Sequence, residues 1–252
     1  MPRAIPHKSV FITATDTGVG KTVVTAALAM ALRKRGYVVG VMKPVETGMN
    51  GEAGSDADHL KRAASVQDDL TLIRTYAFRQ PVAPLDAARL SRKSISFSTI
   101  ERAFRILRLG HDLLLVEGVG GLHVPLTRTV DVLDLIAQLK IPVVVVGRAS
   151  LGGVNHAMLT LNALHQRRIS IVALVLNRTS NSKTAVARGQ ERSTLRLLRQ
   201  LAGVPVIGPL PYRPALDRNF PREVARLARM AAVTKLMRLV LASGRGTLSR
   251  RG

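Results

Sequence analysis

The chain lacks cysteine and tryptophan, and aromatic residues make up only 3% of its 252 residues. Without cysteine, a disulfide framework, a cysteine nucleophile and a thiolate metal site are all excluded. The lack of cysteine also agrees with a reducing compartment. Because aromatics are so scarce, we expect no combined basic and aromatic platform of the kind that stacks nucleic-acid bases.

Long hydrophobic runs are missing as well. The longest strongly apolar stretches have the length of a strand, as in residues 141–147 (IPVVVVG), whereas a membrane helix needs about 20 apolar residues. The first ten residues contain two prolines and no apolar segment typical of a secretory signal. We therefore expect no signal peptide, no membrane span and a cytoplasmic location.

What remains is the composition of a globular protein, with 46% hydrophobic and 21% charged residues. This proportion supplies enough apolar surface to build a core, and 252 residues lie within the range of one α/β domain. We predict a single domain over residues 1–242. Residues 243–252 (SGRGTLSRRG) are predicted to form a disordered basic tail.

Acidic residues are few. The chain has 16 of them and 38 basic residues, 29 of which are arginine, so the net charge is +22. The excess is concentrated in residues 167–252, which hold 18 basic and 3 acidic side chains. Such a field attracts polyanions. Nucleic-acid or anionic-surface binding is one interpretation, and a solvated arginine-rich surface is the other. We favour the second, and expect non-specific polyanion binding in either case but no specific nucleic-acid recognition.

Apolar strand-like segments alternate with helical patterns along the chain, which predicts a mostly parallel sheet with helices on both faces. Ligands of such sheets bind at the carboxyl ends of the strands. The predicted strands are residues 9–14, 38–42, 113–117, 143–147, 169–176 and 204–207, and the predicted helices are residues 22–36, 100–109, 132–139, 154–166, 191–201 and 222–241.

The turn after the first strand, residues 14–22 (ATDTGVGKT), ends in the Gly-Lys-Thr of a Walker A loop. Backbone N–H groups there can face phosphates, Lys21 adds a positive charge, and the Thr22 hydroxyl can ligate Mg²⁺. Thr15 stands where the strict pattern has its first glycine. The position between a strand and a helix still favours phosphate binding, and with it a P-loop NTPase-type fold. The loop residues in question are Gly18, Val19 and Gly20.

Two carboxylates are candidates for holding the metal. Glu117 ends the strand of residues 113–117, and Gly118 and Gly120 after it allow close backbone approach to a ligand. Asp56 is the second candidate, although it could instead cap a helix, and Glu117 could simply end its strand before a turn. Mg²⁺ prefers few carboxylates, so Thr22, Asp56 and Glu117 form a plausible set.

Four segments together resemble the dethiobiotin synthetases, ATP-dependent enzymes that close the ureido ring in biotin synthesis. They are residues 15–22 (TDTGVGKT), 43–48 (KPVETG), 116–121 (VEGVGG) and 151–156 (LGGVNH), in the order that the family shows. Ala14 departs from the family, which usually has glycine there. An added methyl would be harmful only if the backbone at this point needed a positive φ.

The resemblance implies a role for each matching residue. Lys21 would bind the ATP phosphates, and Thr22, Asp56 and Glu117 would hold Mg²⁺. The catalytic residues would be Thr17, Lys21 and Lys43, with Thr17, Lys43 and Thr47 contacting the substrate. Nucleotide contacts are implied for Gly18, Val19, Gly20, Lys21, Thr22, Glu117, Gly118, Gly120, Asn177, Pro209, Leu210 and Pro211, of which Asn177 would read adenine.

The family also forms homodimers, and its substrate carboxylate binds at a helix start of the other subunit. The residues implied here are Gly153, Val154 and Asn155. A helix N-terminus can bind a carboxylate through its free N–H groups.

The implied reaction joins 7,8-diaminononanoate, CO₂ and ATP to give dethiobiotin, ADP and phosphate, through a carbamate and a carbamic-phosphoric anhydride. Two alternatives stay open at this point. One is a partitioning-type P-loop ATPase that binds DNA, although Asp16 stands where those proteins have a second, signature lysine. The other is a related synthetase acting on another carboxylate or amine.

Overall fold

The computed structural model describes residues 7–181 and 184–243. The strands are β1 (Lys8–Ala14), β2 (Val39–Met42), β3 (Val45–Glu46), β4 (Tyr76–Ala77), β5 (Leu113–Glu117), β6 (Val143–Arg148), β7 (Ile171–Asn177) and β8 (Val206–Leu210). The main sheet has the order β2-β5-β1-β6-β7-β8, and β3 pairs with β4 in a separate small sheet. All of these pairs are parallel.

Helices cover both faces of the main sheet, which confirms the predicted doubly wound α/β fold. They are α1 (Lys21–Arg33), α2 (Asp56–Ala64), α3 (Leu70–Ile73), α4 (Pro84–Leu90), α5 (Phe97–Leu109), α6 (Val132–Leu139), α7 (Gly153–Gln166), α8 (Ala185–Leu201), α9 (Phe220–Ala228) and α10 (Ala231–Ala242). Within the described ranges, we find no helix with the length and hydrophobicity that a membrane span requires.

The sheet separates two layers of the hydrophobic core. Successive side chains of a strand point to opposite faces, so Val10 and Ile12 pack with α1, α2, α9 and α10, whereas Phe11 packs with the opposite layer. That opposite layer is formed by α4, α5, α6, α7 and α8. The two buried faces explain why the central strands are apolar throughout.

The register of the sheet brings several strand ends to one edge. Ile12 pairs with Glu117, Ala14 with Val146, and Arg148 with Asn177. Because the strands are parallel, the segments that follow β1, β5, β6 and β7 all emerge at this carboxyl edge. The loop between β1 and α1 lies at its centre.

The structure corrects several predicted boundaries. The helix predicted over residues 222–241 is two helices, since Met230 is extended (φ −73°, ψ 145°) and caps α10. Each half buries its own apolar face, with Val224 in α9 and Val240 in α10. Helix α8 begins six residues early because Thr184 caps it by accepting from the Ala187 N–H. Residues 244–252 of the predicted tail lie outside the described residues.

Candidate active site

The loop between β1 and α1 depends on glycines with left-handed backbone conformations. Gly18 has φ 72° and Gly20 has φ 92°. A Cβ on Gly20 would lie 2.5 Å from Asn177 Nδ2, so this position also lacks the space for a side chain. Ala14, in contrast, belongs to extended β1 and is not among the residues with positive φ. Its methyl group therefore introduces no left-handed strain.

The loop closes around the ammonium group of Lys21. Lys21 Nζ donates to the Gly120 carbonyl at 2.9 Å and to the Asp16 carbonyl at 3.4 Å. Burial disfavours the charged form, and the nearby Lys43 ammonium adds to the effect, so the pKa of Lys21 is lowered to about 8. The lysine thus lies at the mouth of the loop, where phosphate oxygens would replace its carbonyl partners.

Lys43 follows β2 directly and lies between two carboxylates. Its Nζ is 2.7 Å from Asp56 Oδ2 and 2.7 Å from Glu117 Oε1. The Thr22 hydroxyl donates to the same Glu117 oxygen at 2.8 Å. Burial alone would lower the pKa of Lys43, but Glu117 and Asp56 outweigh it and raise the pKa. For Asp56, burial is likewise outweighed by Lys43, and the pKa of its carboxyl group is lowered.

The arrangement of Thr22, Asp56 and Glu117 fits a hard divalent cation. Glu117 is fully buried, and its Oε2 has no hydrogen-bond partner. All three side chains offer oxygen, which is what Mg²⁺ prefers. Within residues 7–181 and 184–243 no group of three His, Cys, Asp or Glu side chains could hold a metal. A cation here would need the threonine hydroxyl and further ligands, such as phosphate oxygens and water.

A cavity of about 430 Å³ brings most of the predicted site residues together. Glu117 and Gly118 lie behind its wall, where the Gly118 carbonyl accepts from Lys43 Nζ at 3.3 Å. The predicted residues that line the cavity are Thr17, Gly18, Gly20, Lys21, Thr22, Lys43, Thr47, Asp56 and Gly120.

Several residues that line this cavity were not predicted, and three of them stand out. Glu46, His59 and Phe220 line it, and the His59 ring stacks on Phe220 with centroids 3.9 Å apart. Glu46 lies inside the KPVETG segment, so the sequence offered a signal for it. No sequence signal points to the stack, because it joins α2 to α9 across the fold.

The predicted adenine residue Asn177 lies at the end of β7, beside a smaller cavity of about 160 Å³. Its Nδ2 donates to the Val19 carbonyl at 2.8 Å, and its buried Oδ1 has no partner. A free amide oxygen can accept from an exocyclic amine. Val19, Leu210 and Pro211 line this cavity, whereas Pro209 lies within β8 and does not.

A third cavity, of about 720 Å³, lies on the other side of the loop. Thr17 lines both this cavity and the 430 Å³ one, so the two spaces meet at this residue. Asp16 lines the larger cavity and forms an ion pair with Arg148. The rest of the wall includes the apolar side chains Leu122, Val124, Leu159 and Ala163.

Gly153, Val154 and Asn155 form the first turn of α7, as the sequence predicted. Gly152 precedes them with φ 83° and caps the helix without a side chain. None of the three lines the 430 Å³ or the 720 Å³ cavity of its own chain. A single copy of the chain therefore does not bring them to the other predicted site residues.

These features define a P-loop nucleotide-binding protein. They are a parallel sheet with a glycine loop, a lysine and a threonine at the start of α1, and a carboxylate at the end of the adjacent strand. A protein-family model described as "AAA domain" matches residues 8–219. The ATP-dependent dethiobiotin synthetase of Thermodesulfovibrio yellowstonii is 39% identical over 226 residues, which cover 85% of this chain and 93% of that protein. The chain belongs to the dethiobiotin synthetase family.

A second relative agrees with this assignment. The ATP-dependent dethiobiotin synthetase of Anaeromyxobacter dehalogenans (strain 2CP-1) is 44% identical over 172 residues, 68% of this chain and 77% of that protein. Among solved structures, the MinC:MinD cell division complex of Aquifex aeolicus has a TM-score of 0.55 at 16% identity, covering 97% of this chain and 100% of that one. At this identity the likeness shows the shared fold alone.

Proposed function

We propose that the chain catalyses the ATP-dependent, dethiobiotin-forming step of biotin synthesis, with 7,8-diaminononanoate and CO₂ as its other substrates. The observation that favours this function most is the position of Lys43. Its ammonium lies between Asp56 and Glu117, 2.7 Å from each, and lines a cavity that also contains Lys21. Two ammonium groups at the phosphate end of a nucleotide site suit the transfer of a phosphoryl group to an anionic acceptor.

The chemistry requires no nucleophile from the protein. One amine of the diamine attacks CO₂ and loses a proton to give a carbamate. A carbamate oxygen then attacks the γ-phosphorus of ATP, and ADP leaves. The second amine attacks the carbonyl carbon of the resulting anhydride, phosphate leaves, a proton is lost, and the ring closes.

The side chains of the site position these groups and balance their charge. Lys21 neutralises phosphate oxygens, and Lys43 neutralises the carbamate and the transferring phosphoryl group. Thr17 lines both large cavities and would contact both reactants, and Thr47 lines the nucleotide cavity. Thr22, Asp56 and Glu117 would hold Mg²⁺, which supplies further neutralisation of the phosphates when it is bound.

We place the diamine in the 720 Å³ cavity. Its apolar wall suits the alkyl chain, and Asp16 and Thr17 at the loop suit the amines. The substrate carboxylate would then bind to the N–H groups at Gly153, Val154 and Asn155 of a second copy of the chain. Leu151 and Leu159 near this turn are exposed, in agreement with a homodimer. The need for ATP supports a cytoplasmic location.

The experiment is to measure ADP release by the purified protein with Mg-ATP and bicarbonate, with and without 7,8-diaminononanoate, while dethiobiotin is followed by mass spectrometry. We expect ADP release that depends on the diamine and equals the amount of dethiobiotin formed. ATP turnover that ignores the diamine but responds to DNA would contradict the proposal and favour a partitioning-type ATPase.

A further inference from the structure

Glu46 is a buried carboxylate for which the reaction above has no use. It ends β3 and is only 5% exposed, although it borders the 430 Å³ cavity. Its Oε1 accepts from the Asp56 N–H at 2.5 Å, and its Oε2 accepts from the Ala57 N–H at 3.4 Å. Both oxygens are therefore directed at the backbone of α2.

These two N–H groups belong to the first turn of α2, where a helix has no internal partners for them. A negative charge at this end also interacts favourably with the helix dipole. Ser55 satisfies the next group, because its hydroxyl accepts from the Asp58 N–H at 3.1 Å. Glu46 and Ser55 thus hold the start of α2 in place, with Asp56 as its first residue.

Arg74 connects these two contacts. Its Nη1 lies 3.6 Å from Glu46 Oε2 and donates to Ser55 Oγ at 3.2 Å. The guanidinium is itself buried. The other carboxylate near Arg74 is that of Glu52, which is 3.8 Å away and exposed. Since a buried charge is stable only when it is paired, Glu46 is the buried partner of Arg74, and the pair supports the start of α2.

We propose that Glu46 is a positioning residue that fixes the Asp56 carboxylate in the geometry needed to bind the divalent cation. Glu46 acts through Asp56, because it binds the backbone of the residue whose side chain contacts Lys43. The inference rests on the proposed function, in which Asp56 is a Mg²⁺ ligand. It also explains why a second carboxylate lies beside Asp56 despite the repulsion between like charges.

The test is the affinity for Mn²⁺, measured by electron paramagnetic resonance with the ADP complex of the full-length protein. In Glu46→Ala we expect the affinity to fall by about tenfold or more, the effect of losing an outer partner of a metal ligand. Glu46→Gln keeps one acceptor oxygen and should show a smaller loss. Binding of ADP in the presence of a chelator should stay unchanged in both variants, and saturating Mg²⁺ should restore turnover.

Asp58→Ala is the matched control. This carboxylate lies on the same turn of α2 but binds Gly54 N–H and Arg62 instead, so its loss should leave Mn²⁺ affinity unchanged. Asp56→Asn tests the metal site itself and should weaken Mn²⁺ binding. If either folded Glu46 variant kept wild-type Mn²⁺ affinity while Asp56→Asn bound Mn²⁺ more weakly, the role of Glu46 would be overturned but the metal site would stand. Wild-type affinity in Asp56→Asn would overturn the metal site and the inference with it.

Discussion

Lys43 and Glu117 form an ion pair of 2.7 Å in which the carboxylate is fully buried and the lysine is 3% exposed. The pair stands at the carboxyl edge of the sheet, and Lys43 is also paired to Asp56. Removing one member of a buried pair leaves an uncompensated charge. This lowers the stability of the fold more than the loss of an exposed ion pair does.

Lys43→Ala should lower kcat by about a hundredfold or more, the usual effect of removing a charge that acts on the transition state. ATP affinity should change much less, because Lys21 and the loop backbone bind the phosphates. Steady-state kinetics and calorimetric ATP titration measure the two effects. Lys34→Ala, an exposed lysine at the end of α1, serves as the control. Equal losses in kcat and ATP affinity would contradict the role assigned to Lys43.

ATP affinity should depend on pH through Lys21. In the free protein the pKa of this lysine is lowered to about 8, and the charged form is the one that attracts phosphates. Affinity should therefore be constant below pH 8 and fall as the pH rises through that value. The measurement is ATP affinity between pH 7 and 10. Lys21→Ala should bind ATP weakly and should no longer show this fall in affinity. An equal fall in that variant would show that another group titrates.

Two glycines of the loop offer a matched pair of substitutions. Gly18→Ala and Gly20→Ala should each lower the free energy of unfolding by about 1 kcal/mol or more, because both positions have positive φ. Only at Gly20 would the new Cβ also meet Asn177, whereas no atom lies within 4 Å at Gly18. Gly20→Ala should thus lose more ATP affinity. Chemical denaturation and ATP titration test this, and equal ATP affinities would disprove the steric argument.

The positive charge of helix α8 leads to a prediction on polyanion binding. Arg188, Arg192, Arg196 and Arg199 recur every three or four residues, so they share one face, and all four are exposed. None forms an ion pair with another described residue. Replacing all four by Gln should lower the salt concentration at which the protein elutes from heparin, with dethiobiotin formation unchanged. Unchanged elution would show that polyanions bind elsewhere or not at all.

The sheet and the phosphate-binding loop could be predicted because their signals are local. Lys21 and Thr22 follow a glycine turn between a strand and a helix, and Glu117 ends an apolar strand. Parallel pairing then dictates that these segments meet at one edge. The residues between 45 and 90 were not predicted in detail, because α2, α3, α4, β3 and β4 are only two to nine residues long.

The rest of the site depends on contacts between distant segments. The stack of His59 on Phe220 joins residues 161 positions apart in the chain, and the break at Met230 has no glycine or proline beside it. The contact of Glu46 with the backbone of α2 also depends on how α2 packs against β3. Periodicity and motifs contain no information on such contacts.

The four charges at the phosphate end of the site cancel, with Lys21 and Lys43 opposed by Asp56 and Glu117. A divalent cation arriving alone meets two ammonium groups, and a nucleotide arriving alone meets two carboxylates. Each therefore relieves the repulsion that the other experiences. The enzyme should show positive heterotropic linkage: cation strengthens nucleotide binding by the same factor by which nucleotide strengthens cation binding. Because of this reciprocity, the unliganded protein should bind the metal–nucleotide complex more tightly than it binds either component alone.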